Sequence, residues 1–232
     1  WATKTNWMVG LPCTSSWYGV TCEDTPSNSP FLKDVTRLKL EDNTLLGTLP
    51  TEVGYLTALT SHFVVANNLL SGALPTELGD MGSDSAFTGA FWLFSNHFVG
   101  TLPSQLGRLT AMTRQLLIND AEVAGTIPSE IGRLAAMTEQ LKLQSNAFTG
   151  VIPTQLGRLT AMERQLLLND NQFTSDESVN LAQRDAVPTE LGRLTMLETR
   201  LFLQSNELHG TFPTQMGALT ELKSFLYMHD NT

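Results

Sequence analysis

A thirteen-residue stretch, LKLQSNAFTGVIP from Leu141 to Pro153, constrains the chain more than any other feature, because it recurs. Its pattern is apolar, any, apolar, two polar residues, Asn, any, apolar, any, Gly, any, apolar, Pro. Aligned on the proline it returns at Pro50, Pro75, Pro103, Pro128, Pro153, Pro188 and Pro213, in steps of 25, 28, 25, 25, 35 and 25 residues. A fixed period of this length marks a stacked repeat, in which each unit buries its open faces against its neighbours. A chain of 232 residues would otherwise suit one or two ordinary domains. The repeat predicts one continuous solenoid instead.

The local chemistry of one unit explains the pattern. Leu141 and Leu143 lie two apart, so in a strand both point to one face while Lys142 and Gln144 point to the other. Asn146 marks where the strand leaves its sheet. A short amide can bond exposed main-chain groups there, and Asn tolerates unusual dihedrals. Phe148 and Ile152 return to the interior, Gly150 permits a bend that a side chain would oppose, and Pro153 ends pairing. The following TQLGRLTAM spaces Leu156, Leu159 and Met162 by three. It predicts a short helical or 3₁₀ return path with Thr154 as its cap.

The net charge of −9 disfavours nucleic acid and anionic membrane surfaces as partners. No run of about 18 apolar residues occurs, so no membrane span is expected. Cys13 and Cys22 stand close together in PCTSSWYGVTC at the start of the chain. They read as a disulfide pinning the first coil, worth roughly 2.5 kcal/mol by loop closure and implying an oxidising compartment. A metal or redox pair is the competing reading, and it lacks CxxC spacing and a nearby His pair.

The units NTLLGTLPTEVGYL, NLLSGALPTEL, NHFVGTLPSQLGRL, NAFTGVIPTQLGRL and NELHGTFPTQMGAL resemble the plant-type leucine-rich repeat family. That family includes receptor-kinase ectodomains and polygalacturonase-inhibiting proteins. The segment NWMVGLPCTSSWYGVTC is similar to the family's amino-terminal cap, with Trp7, Cys13, Trp17, Gly19, Val20 and Cys22 in matching places. The resemblance implies an α/β solenoid: a right-handed superhelix with a concave parallel sheet of about eight short strands, a 3₁₀ or short helical convex side, and a second short strand on the opposite flank. It implies a cap over residues 1–34 and repeats over residues 35–232, with no carboxy-terminal cap visible. It also implies recognition through the concave surface of a secreted protein or one on the extracellular face of the cell. Trp7, Trp17 and Tyr18 are expected to cover the first coil's core.

Three departures stand out. The usual plant-type period is one residue shorter, the extra residue falling before the strand, where a wider return loop is expected. Ala121 replaces the repeat asparagine in the fourth unit. Two units are longer. GDMGSDSAFTG from Gly79 predicts a flexible convex bulge. TSDESVNLAQRDAVP inserts ten residues from about Ser175 to Ala186, either as a tolerated surface loop or as a partner contact. From the fourth unit on, the strands alternate as RQLLIND, EQLKLQS, RQLLLND and TRLFLQS.

The strand position between the two inward residues reads Lys39, Val64, Trp92, Leu117, Lys142, Leu167, Phe202 and Tyr227. Period-two logic makes it wet, yet six of the eight are apolar or aromatic. With Phe94 beside Trp92, the residues Val64, Trp92, Phe94, Leu117, Leu167, Phe202 and Tyr227 predict an exposed stripe that binds a protein or peptide partner. The bland alternative is that Val and Leu there serve β-propensity. Glu41, Asp42, Asn67, Asn119, Asp120, Gln144, Asn169, Asp170, Gln204 and Asp230 form a polar, mildly acidic rim that suits a partner of some basic character.

A glycan stacked on the aromatic row, and dimerisation through the stripe together with the end of the solenoid that has no visible cap, are competing readings. Another alternative is ice binding by the column after each proline, Thr51, Thr76, Ser104, Ser129, Thr154, Thr189 and Thr214, with Thr48, Thr101, Thr126 and Thr211 after the turn glycines. The capping role of Ser and Thr opposes that reading. His62, His97, His209 and His229 are scattered, and no phosphate loop or zinc signature occurs. No enzyme, cofactor or metal is expected.

Overall fold

The computed structural model describes residues 13, 15, 18–24, 33–84, 86–175 and 185–231. Trp7, Trp17 and most of the 175–186 insertion lie outside the described residues.

Each repeat becomes one coil with a strand, a turn, a second strand and a 3₁₀ turn. A nine-stranded sheet runs through the concave side. Strand β1 (Val20–Asp24) pairs antiparallel with β2 (Lys33–Lys39), and the eight strands from β2 onward are all parallel. A second sheet of six strands lies on the flank, from Leu46–Thr48 to Gln172–Thr174. The 3₁₀ turns, such as Thr154–Arg158, follow the repeat prolines. A disulfide joins Cys13 to Cys22, which lies within β1. Tyr18 is 39% exposed, so it does not seal the first coil as expected.

The interior follows the repeat. Leu141, Leu143, Phe148, Ile152, Leu156, Leu159 and Met162 are all fully buried in one continuous core. Phe148 stacks on Phe173 of the next coil with ring centroids 6.1 Å apart. Such contacts between coils bury what one coil leaves open.

The asparagine ladder is the polar counterpart of that core. Asn171 Nδ2 donates to the carbonyls of Leu168, Asn169 and, one coil back, Leu143, while its Oδ1 accepts from the Phe148 N–H. Asn68, Asn146, Asn206 and Asn231 repeat this arrangement. The unusual dihedral falls one residue earlier than expected: Asp42, Asn67, Ser95, Asp120, Ser145, Asp170, Ser205 and Asp230 carry positive φ, and the ladder asparagines do not. The left-handed residue turns the chain so that the next amide points back into the coil.

Two further expectations change. The 3₁₀ turns are capped at Pro153 and its equivalents without a side-chain hydrogen bond, so Thr154 is not a cap. The Gly79 bulge is pinned: Met81 and Phe87 are buried, and the N–H groups of Gly82 and Asp84 donate to the Leu56 and Thr57 carbonyls. The extra residue before each strand leaves the strands unaffected, as expected, with Gln140 opposite Gln115 and Gln165.

Asn171→Ala leaves four main-chain groups without this partner and should cost about 1–3 kcal/mol. Ala121→Asn restores the missing rung and should stabilise by about 1 kcal/mol. Urea unfolding of the two variants checks both signs.

Candidate functional site

The register places the predicted stripe in one row. Lys39 lies opposite Val64, Val64 opposite Trp92, Trp92 opposite Leu117, and the row continues through Lys142, Leu167, Phe202 and Tyr227. Its exposure is uneven, which corrects the expectation of a uniformly wet stripe. Val64, Leu117 and Leu167 are only 0, 7 and 5% exposed, whereas Tyr227 is 37% exposed. Trp92, Phe94 and Phe202 are half-buried. Strands about 4.8 Å apart bring the rows so close that long side chains cover short ones.

Two aromatic platforms result. Trp92 and Phe94 lie 6.0 Å apart between ring centroids, and Trp92 Nε1 donates to Gln115 Oε1 at 2.9 Å, which fixes the indole across a strand gap. Phe202 and Tyr227 stack at 4.7 Å, with the Arg200 guanidinium 5.8 Å from the Phe202 ring. Leu117, Lys142 and Leu167 join them. Lys142 is half-buried, and burial lowers its pKa, assisted by Arg200 and opposed by Asp120.

The backbone ladder continues two residues beyond the strands, so the predicted rim is also a row. The N–H groups of Asp120, Ser145 and Asp170 donate to the carbonyls of Gln144, Asn169 and Gln204. In four successive coils this row presents a buried acceptor with no hydrogen-bond partner: Asn119 Oδ1, Gln144 Oε1, Asn169 Oδ1 and Gln204 Oε1. The sequence reading named these residues as rim without detecting the unpaired oxygens. Listing polar positions at the repeat period would have found their order, while their burial depends on the curvature of the stacked coils.

The hydroxyl column after the prolines sits at the first residue of successive 3₁₀ turns. Six of its seven hydroxyls, all but Thr154, donate to the acidic or amide side chain of the next residue. The threonines after the turn glycines form no row. Thr48 lies opposite Ser71, while Ala73 lies opposite Val99 and Thr101 opposite Ala124. Among the described residues no group of three or more His, Cys, Asp or Glu could hold a metal ion. None of their helices is long and apolar enough to cross a membrane.

At the other end of the sheet, His62 Nδ1 is buried and unpaired. Burial lowers its pKa, and the charges of Arg37, Lys39 and Arg114 lower it further against the opposing Glu41. The folded state therefore resists protonation. This contribution to stability is complete above the unfolded value of 6.5 and is lost as pH falls below it, through the folded value. The urea midpoint should drop between about pH 7 and pH 5, and His62→Gln should lessen that drop.

No family model and no curated protein sequence matches the chain. Solved structures do. The chain superposes on the Arabidopsis receptor kinase HAESA in complex with the peptide hormone IDA and the co-receptor SERK1, at TM-score 0.69 and 27% identity over 82% of this chain and 29% of that one. The ectodomain of GASSHO1/SCHENGEN3 from Arabidopsis thaliana, in complex with CASPARIAN STRIP INTEGRITY FACTOR 2, matches at TM-score 0.65 and 30% identity over 92% of this chain and 26% of that one. PEPR1–AtPEP1 matches at TM-score 0.78 and 25% identity, over 94% and 27%. The chain thus spans less than a third of the length of these receptor chains. With these superpositions, the chain's repeat, parallel sheet, 3₁₀ turns and amino-terminal disulfide fit a leucine-rich repeat solenoid of the plant type.

Proposed function

We propose that the protein recognises a peptide or an exposed protein segment, outside the cell, through the concave face of its parallel sheet. The observation that carries this reading is the aligned row from Val64 to Tyr227, with an aromatic platform at each end and unpaired acceptors along its edge. Apolar anchors set in a polar rim are the anatomy of a recognition surface, and aromatic side chains dominate the energetics of such surfaces. Buried acceptors without partners are costly unless something donates to them. A peptide brings both an apolar surface and N–H donors.

HAESA is described in complex with a peptide hormone and a co-receptor, and GASSHO1/SCHENGEN3 in complex with CASPARIAN STRIP INTEGRITY FACTOR 2, which supports a recognition role here. The Cys13–Cys22 disulfide fits an extracellular setting. The half-buried residues Trp92, Phe94 and Phe202 and the exposed Tyr227 supply the contact area. Val64, Leu117 and Leu167 are the floor between them.

The test is selection of binders from an unbiased displayed peptide library on the immobilised protein, followed by calorimetry. Trp92→Ala and Phe202→Ala should each weaken a selected peptide by about 2 kcal/mol or more. Selected peptides whose affinity is unchanged in both variants would place recognition elsewhere.

A further inference from the structure

The polar row beside the stripe alternates with a period of two coils. The left-handed residue after each strand is Asp120, Ser145, Asp170 and Ser205 in turn. The residue before it alternates in step, as Asn119, Gln144, Asn169 and Gln204. In the two Asn–Asp coils, Asn Nδ2 donates to the adjacent carboxylate at 2.5 Å. Asn119 and Asn169 are themselves only 7% and 8% exposed, and each Oδ1 is buried without a partner. A carboxylate and an unpaired carbonyl oxygen therefore stand side by side at Asp120 and again at Asp170. Among the described residues no cationic side chain forms an ion pair with either.

The backbone fixes the distance between these two seats. The N–H groups of Asp120 and Ser145 donate to the next coil at 3.2 and 3.1 Å. Coils bonded in this way lie about 4.8 Å apart, so the two aspartates are spaced by about 9.6 Å. A polyproline-II chain rises 3.1 Å per residue with three residues per turn, so one of its faces returns every ~9.3 Å. A fully extended strand repeats its face every ~6.7 Å and falls out of step.

We propose that the concave sheet takes a polyproline-II peptide with a cationic side chain at every third residue, two of which sit on Asp120 and Asp170, its prolines lying along the aromatic stripe. This deepens the peptide-recognition reading above and rests on it. Proline rings dock against aromatic-lined surfaces in other recognition modes, and the polyproline-II backbone leaves its carbonyls free. Lys142 lies in the coil between the two seats and donates to such a carbonyl. Its charge also excludes a ligand cation from the intervening positions. The protein's net charge of −9 favours a basic ligand.

Fluorescence anisotropy tests the spacing with two labelled proline peptides of equal length and composition, each with two lysines, set three residues apart in the first and two apart in the second. The first should bind about tenfold more tightly, as two exposed ion pairs allow, and added salt should narrow the gap. Asp120→Asn and Asp170→Asn should each reduce the preference. Equal affinity for the two peptides, or an unaltered preference in both variants, overturns the proposal. Failure of both peptides to bind, while library-selected peptides still depend on Trp92 and Phe202, also overturns it and leaves the wider reading standing.

Discussion

The hydrogen bonding between coils is the constraint on which everything else depends. Along the strands the bonds are those of a parallel sheet, and past the strands they continue through Asp120, Ser145 and Asp170. Where the chain then turns, each coil would expose carbonyls with no sheet partner in a site closed to water. Asn68 meets that need with bonds of 2.9, 2.9 and 3.0 Å to Leu40, Val65 and Ala66. A buried amide satisfied on both its donor and acceptor sides stabilises, whereas an unpaired one costs about 1–3 kcal/mol. The ladder therefore admits one geometry for the turn, and that geometry holds the coils at sheet spacing.

A second seam closes the convex side by a different means. A Cβ on Gly107, Gly132 or Gly157 would lie 2.3 Å from the main-chain oxygen of Glu130, Gln155 or Glu190 in the following coil. The turns approach so closely that only glycine fits. Polar bonding on one side and steric contact on the other thus set the spacing of every side chain on the surface. Rows of residues 25 apart in the chain become neighbours because neither seam can stretch.

Much of this was legible in the sequence, since the period specifies the fold and the Leu-x-Leu alternation specifies which face is buried. The errors share one origin. Alternation says which way Val64, Leu117 and Leu167 point, but their exposure depends on the size of side chains in adjacent coils, which a single repeat does not contain. Asparagine tolerates unusual dihedrals in isolation, so sequence alone points to the ladder asparagine for that conformation. In the solenoid, the asparagine that satisfies the carbonyls stays out of the left-handed region, and the residue before it takes the positive φ. Likewise GDMGSDSAFTG has the composition of a mobile loop, yet Met81 and Phe87 find room in the core between stacked coils.

The same stacking turns a sequence alternation into chemistry. RQLLIND and EQLKLQS look like the trace of a duplicated pair of repeats. Once stacked, they place Arg114, Arg164 and Arg200 at or just before strand starts, and Asp120 and Asp170 just past strand ends. The strand-start edge carries these arginines interleaved with Glu139 and Glu163, while the edge past the strands carries Asp120 and Asp170, with Gln144 and Ser145 rather than a basic residue in the coil between them. About six residues of strand and turn separate Arg164 from Asp170, some 18–20 Å at ~3.3 Å per residue. That exceeds the ~8 Å screening length at physiological salt, so the edges do not neutralise each other. A peptide bound as proposed would meet arginines and glutamates at one edge and aspartates at the other. The apolar row between the edges would then set its depth.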